Sequence, residues 1–159
     1  SPFALVQEIR EWFNGPLVLS GAIATGGAVL AAQATGADYA YIGSAFIATD
    51  EARASDAYKN AVVECNSDDI VLSSLFTGVS GNYLAPSIRN AGLDPEKLPD
   101  SDPSKMNFGG DSQKAWKDIW GCGQGIGAIK KVVPCKEFIA TLQSQYKQAK
   151  LNLINAPSS

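Results

Sequence analysis

Phe3, Val6, Ile9 and Phe13 recur at the spacing of one helix face with Glu8, Arg10 and Glu11 between them, and they predict an amphipathic helix over residues 3–13. Asn14-Gly15-Pro16 ends it. Leu17-Val18-Leu19 is a short continuous apolar run between turn signals, the form expected of a strand buried on both faces in a parallel sheet. The alanine-rich stretch from Gly26 to Gln33 reads as a helix whose small residues allow close packing, and Gly36 closes it. Tyr39-Ala40-Tyr41-Ile42 gives a second strand. Strand, helix and strand within residues 17–42 make a βαβ unit, for which a right-handed crossover is expected.

Beyond this unit, Ala45–Thr49 reads as a short helical turn and Ser55–Cys65 as a charged helix, followed by an apolar Ile70-Val71-Leu72 stretch of open type. Residues 76–113 hold Gly78, Gly81, Pro86, Gly92, Pro95, Pro99, Pro103, Gly109 and Gly110, and predict an irregular, loop-rich cap. Phe138, Leu142, Tyr146, Ala149 and Leu153 then line one face of a long terminal helix, with a frayed tail at Asn155–Ser159. No internal repeat is present.

Composition narrows the chemistry. The 159 residues are 45% hydrophobic and 18% charged, as in one globular domain with a core. A net charge of −3 with no Lys/Arg cluster argues against nucleic acid as a partner. No apolar run approaches the ~20 residues of a membrane span, and no basic-then-apolar leader opens the chain, so it reads as soluble and cytoplasmic. Cys65, Cys122 and Cys135 fit no zinc or redox spacing and read as reduced thiols, with no metal site. The chain contains no histidine, which excludes a Ser-His-Asp triad, a His-bearing zinc site and a histidine base within it. Ser1-Pro2 suits a helix start in mid-protein, and sequence upstream is expected.

Two glycine-bearing turns follow the two strands, Ser20-Gly21-Ala22 and Gly43-Ser44-Ala45. Adjacent parallel strands would bring them side by side. Glycine lets backbone N–H groups approach an anion, a serine hydroxyl adds a donor, and the start of a helical turn aims its free N–H groups the same way. The pair suits a phosphate monoester, whose site in closed barrels follows strands 7 and 8.

Leu19-Ser20-Gly21-Ala22-Ile23-Ala24-Thr25-Gly26, Gly36-Ala37-Asp38, and Ile42-Gly43-Ser44-Ala45-Phe46-Ile47-Ala48-Thr49 with Glu51-Ala52 resemble the C-terminal half of nitronate monooxygenases. Phe76-Thr77-Gly78-Val79 and the later Trp120-Gly121-Cys122-Gly123-Gln124-Gly125-Ile126-Gly127 are similar to their cap and closing segment, so the resemblance covers nearly the whole chain. It implies an α/β fold that is the C-terminal portion of a TIM (β/α)8 barrel, about the last two βα units plus a cap. It also implies non-covalent FMN that oxidises an alkyl nitronate and is reoxidised by oxygen. On that resemblance Ser20, Gly21, Ala22, Tyr41, Ile42, Gly43 and Ser44 hold the FMN phosphate. Residues 1–49 are barrel with strands 7 and 8 at 16–20 and 39–43, 50–120 the substrate-side cap, 121–154 the closing segment and last helix, and 155–159 a tail.

The chain departs from the family at Ala45, where the family commonly has arginine, and in having no match to the catalytic histidine segment after strand 6. No catalytic residue is therefore assigned within it. A closed barrel needs roughly 200 or more residues, so self-association or a missing N-terminal half is expected. A related barrel reductase of the enoyl-thioester type, or a non-catalytic fragment, are the alternatives. Four other features read as structural: the glycine string at 121–127 lacks a Rossmann context, Tyr83 reads as a half-buried tyrosine, Trp116 and Trp120 as one helical face, and Asp68-Asp69 as a turn or N-cap. Gln124 is a weaker candidate for the flavin or cap.

Overall fold

The computed structural model describes residues 1–99 and 118–156. Helix α1 spans Pro2–Arg10, strand β1 Val18–Ser20, α2 Gly26–Ala34, β2 Tyr39–Tyr41 and α3 Ser44–Ile47. Helix α4 (Asp56–Glu64) leads through a 3-10 turn at Ser67–Asp69 to β3 (Ile70–Ser73), β4 (Gly81–Leu84) and α5 (Ala85–Asn90). A second 3-10 turn at Gln124–Ala128 precedes the long helix α6, Cys135–Ile154.

Strands β1 and β2 pair in parallel, Val18 opposite Tyr39, Leu19 opposite Ala40 and Ser20 opposite Tyr41. Alternation along a strand divides their side chains between two faces. Leu17, Leu19 and Ala40 pack against Val6 of α1 and Ala32 of α2 in one cluster. The opposite face is open: Val18, Tyr39 and Tyr41 are 52%, 61% and 64% exposed. The expectation of burial on both faces is thus corrected, because α1 and α2 cover one side and no described residue covers the other. The predicted face of α1 is likewise only partly buried, with Val6 inside and Phe3 exposed.

The end of the sheet beneath the strands is tied by Arg10. Its guanidinium donates to the carbonyls of Gly36 at 2.8 Å, Phe13 at 3.1 Å and Gly15 at 2.7 Å, and to Asp38 Oδ2 at 2.6 Å. The same carboxylate oxygen accepts the Leu17 N–H at 2.7 Å. Those bonds hold the Asp38 carboxyl below the usual carboxylate range, the Leu17 amide contributing most and Arg10 next. One ion pair therefore joins the loops entering both strands.

Helix α2 crosses α6 at very short range. Thr25 caps α2, its hydroxyl accepting the Ala28 N–H at 3.2 Å. A Cβ on Gly26 would overlap the backbone at Leu142 and Tyr146, and lie 2.8 Å from the carbonyl carbon of Gln145. The Gly26 N–H donates to Gln145 Oε1 at 2.9 Å, and Tyr146 Oη donates to Gln33 at 2.6 Å. Phe138, Leu142, Tyr146 and Ala149 form the half-buried stripe that the sequence predicts, whereas Leu153 is 67% exposed. Pro134 stands at the start of α6, and the Glu51 carboxylate accepts the Cys135 N–H at 2.8 Å, a negative charge where the helix dipole favours one.

The main core joins α3, α4, β4 and the second 3-10 turn through Ala45, Ala48, Val62, Leu84 and Ile126. Part of the stretch expected as loop is regular. Ile70–Ser73 pairs antiparallel with Gly81–Leu84, and Pro86 lies in the first turn of α5, where its missing N–H costs nothing. Residues 120–122 continue this layer: Leu84 N donates to Trp120 O at 2.8 Å and Cys122 N to Asn82 O at 3.0 Å. Trp120 stacks on Tyr58 at 5.1 Å, and Trp116, its expected helical partner, lies outside the described residues.

Candidate functional site

The parallel register ends both strands level, so the turns at Gly21 and Gly43 leave the same end of the sheet. Ser20 Oγ donates to Tyr41 O at 3.3 Å and ties the two ends together. Gly21 has φ +118°, a backbone state that L side chains rarely adopt, so a glycine is required there for the turn itself. Helix α3 begins at Ser44, immediately after Gly43, and the first N–H groups of a helix have no intrahelical partners.

A cleft of about 90 Å³ lies between the turns. It has room for several waters, or for a small anionic group. Of the seven residues expected at a phosphate, Ser20, Gly21, Tyr41, Gly43 and Ser44 line it. Ala22 and Ile42 do not: Ala22 turns its carbonyl toward Gly125, and Ile42 packs against the main core.

The cleft has a third wall. Gly123 and Gly125 line it, from a segment 80 residues and more away in sequence. A Cβ on Gly123 would overlap the Gly21 carbonyl, and one on Gly125 would lie 2.5 Å from the Ala22 carbonyl oxygen. The glycine string therefore exists because its backbone lies directly on the backbone of the first turn. Ser44 Oγ accepts the Gly123 N–H at 2.7 Å. The signal for this wall was the alternation of glycines at 121, 123, 125 and 127, which marks a backbone crossing as readily as a loop.

The site carries no carboxylate or cationic side chain among its lining residues. Burial pushes the Cys122 thiol up to about 11, against a smaller opposing effect of its hydrogen bond with Ser44. It is neutral at neutral pH and repels no anion. Burial likewise pushes Tyr58 up to about 12, with a smaller contribution from Cys122, and its hydroxyl donates to Gly121 O. The third wall is thus held by neutral groups on both sides, Tyr58 donating to Gly121 O and Ser44 Oγ accepting the Gly123 N–H. Any anion in the cleft would be met by backbone dipoles and hydroxyls and by no charged side chain of the lining.

The remaining candidates resolve as follows. Tyr83 is buried, T-shaped against Phe76 at 4.9 Å, with its hydroxyl 3.4 Å from Thr77 Oγ1. Asp69 and Asn66 form a reciprocal cap on the Ser67–Asp69 turn, Asp69 Oδ2 accepting Asn66 N at 2.9 Å and Asn66 Oδ1 accepting Asp68 N at 2.8 Å. Gln124 is exposed and does not line the cleft. Ala45 is buried in the main core. No group of acidic, histidine or cysteine residues that could hold a metal occurs among the described residues, and no helix among them is long and apolar enough to cross a membrane.

A glycine-lined cleft beyond the carboxyl ends of adjacent parallel strands places the chain in the class of α/β proteins that bind a ligand at that end of the sheet. The profile of the nitronate monooxygenase family matches residues 1–145, and the chain belongs to that family. It is 26% identical over 154 residues to a nitronate monooxygenase of Paraburkholderia phytofirmans, a match covering 92% of this chain and 42% of that protein. A probable nitronate monooxygenase of Staphylococcus saprophyticus is 33% identical over 75 residues, 47% of this chain and 21% of the relative. FabK from Thermotoga maritima shares the fold at TM-score 0.74 and 22% identity, over 97% of this chain and 51% of that one. A nitroalkane oxidase from Streptomyces ansochromogenes gives TM-score 0.71 and 25% identity, over 95% and 45%. The chain spans about half the length of these proteins or less.

Proposed function

We propose that the chain grips the phosphate of FMN in an enzyme that oxidises alkyl nitronates with molecular oxygen. The observation that carries this reading is Gly43. Its φ is −105°, open to any residue, and a Cβ there would meet nothing within 4 Å. Neither the turn nor the packing needs a glycine, but an anion drawn close to the backbone does. The fit is consistent in three further respects: the cleft admits a phosphate-sized group, presents backbone donors, and has no acid among its lining residues.

In this reading β1 and β2 are strands 7 and 8 of a (β/α)8 barrel, after which phosphate sites recur in that fold. Val18, Tyr39 and Tyr41 then face the barrel interior, which such barrels fill with side chains from the other strands, and that accounts for their exposure here. Of the cap expected at 50–120, the described residues 50–99 and 118–120 border the substrate side, and 100–117 lie outside the described residues. Ser20, Gly21, Tyr41, Gly43 and Ser44, which line the cleft, form the grip, chiefly through backbone N–H groups, with Ala22 and Ile42 behind them. Bound there, the flavin supplies the oxidation of the nitronate and returns the electrons to oxygen. The 159 residues contain no histidine, so the proton-handling group is not a histidine of this stretch.

The test uses the intact protein encoded by the gene. Purified, it should be yellow, release FMN on denaturation, and consume oxygen with an alkyl nitronate. Gly43→Ala should weaken FMN by at least about tenfold, a factor of about 1.4 kcal/mol, while leaving riboflavin binding unchanged. A folded but colourless protein that takes up no FMN overturns the reading. Rapid flavin reduction by NAD(P)H with no nitronate turnover would transfer it to the reductase alternative.

A further inference from the structure

We infer that Ser44 is a positioning residue whose hydroxyl oxygen fixes the third wall of the cleft and acts on the ligand through that wall. The inference rests on the FMN reading for its functional half and on geometry alone for its structural half. Serine after glycine at the start of a helix is ordinarily taken as a direct phosphate donor. Here the hydroxyl oxygen is already engaged by the chain itself, accepting the Gly123 N–H at 2.7 Å. Gly123 belongs to the wall segment.

That segment needs a brace at this point. Its upstream end is held by pairing with Asn82 and Leu84 and by Tyr58 on Gly121, and its downstream end by Ile126, which is fully buried. Between these anchors Gly123 and Gly125 are free of side chains and lie against the Gly21 and Ala22 carbonyls. The Gly21 carbonyl oxygen occupies the space that a Gly123 side chain would need. Ser44 Oγ holds the Gly123 amide, so the wall keeps its place against the first turn. Loss of the hydroxyl would leave the Gly123 N–H in a partly buried site without that partner. The wall, the first turn and the start of α3 are thus one unit, and the ligand reads Ser44 through it.

Amide hydrogen exchange at Gly123 tests the brace without any ligand. Ser44→Ala should speed exchange there by roughly five- to tenfold, the factor for one lost hydrogen bond, and Ser44→Thr, which keeps the oxygen, should restore protection. FMN affinity should fall by a similar factor in Ser44→Ala and recover in Ser44→Thr, with riboflavin affinity unchanged in both. Weakened FMN binding with Gly123 exchange unaltered would mean that the hydroxyl contacts the ligand directly and would overturn the proposal. Faster exchange with FMN affinity unchanged would overturn the link from wall to ligand. If the unmodified protein binds FMN no more tightly than riboflavin, the cofactor reading fails, and the exchange experiment still decides whether Ser44 braces Gly123.

Discussion

The crossing of α2 over α6 gives a sharp test, because two neighbouring glycines should respond to the same substitution with opposite signs. At Gly26 a methyl group would overlap the backbone of Leu142 and Tyr146 and sit 2.8 Å from the Gln145 carbonyl carbon. No flexible side chain stands in the way, so the helices themselves must separate. Overpacking of this kind costs about 1–3 kcal/mol, and losing the Gly26 N–H bond to Gln145 adds about 1 kcal/mol. Alanine returns up to about 1 kcal/mol through helix propensity. Gly26→Ala should therefore destabilise by about 2 kcal/mol. At Gly27 the same methyl would meet only Thr25 Oγ1 at 3.9 Å and Ala149 Cβ at 4.0 Å, which are ordinary contacts. Gly27→Ala should be neutral or stabilise by up to about 1 kcal/mol. With a urea slope of about 1–3 kcal/mol per molar, the Gly26→Ala midpoint should fall by about 1 M while that of Gly27→Ala holds or rises. A Gly26→Ala midpoint at or above that of Gly27→Ala would refute the close crossing.

Asp38 predicts a pH dependence. Its folded pKa lies below the ordinary 3.8, so its pairing contributes fully above that value and is lost as pH falls through the depressed folded value. Acid titration of stability should show that loss below pH 3.8, and Asp38→Asn should remove it; an unaltered acid limb in the variant would contradict the assignment. Thiol labelling should follow burial: at pH 8 the half-exposed Cys135 should react first, while Cys65 and Cys122, both buried and both pushed upward by desolvation, stay protected until unfolding. Equal rates at all three would count against the core as described. Tyr58→Phe should cost about 1 kcal/mol by freeing the Gly121 carbonyl while keeping the stack on Trp120, read as a modest drop in urea midpoint.

Periodicity placed every element of the βαβ unit and the terminal helix, since each carries its own stripe or run: Val6 and Ile9 in α1, Leu17 to Leu19 in β1, and Phe138 to Ala149 in α6. What it could not reveal was which strand faces have neighbours. Leu17-Val18-Leu19 is apolar on both sides, but only the Leu17 and Leu19 side meets helices within the described residues. Pro86 and Gly81 misled because a proline in a first helical turn and a glycine opening a strand look like breakers in one dimension. The two strand-end turns were legible because sequence-adjacent strands carry them. The third wall was only half legible, because the alternating glycines at 121–127 suit a loop as well as a backbone crossing, and which backbone Gly123 meets is settled by tertiary contact.

The glycines around the cleft separate by cause, and that separation bears on the proposed phosphate site. Gly21 is fixed by its positive φ, with open space around its missing side chain. Gly123 and Gly125 are fixed by crowding against the Gly21 and Ala22 carbonyls, and Gly26 by crowding against α6. Each of these would be glycine in the protein alone. Gly43 satisfies neither condition: its backbone is ordinary, and the space beside it is open. In the proposed reading, the smallness that the described residues do not use at the start of α3 is used by the phosphate on the backbone N–H groups. The stability of Gly43→Ala is thus as informative as its affinity. An unchanged urea midpoint together with weakened FMN assigns the glycine to the ligand, whereas a lowered midpoint would return it to the fold.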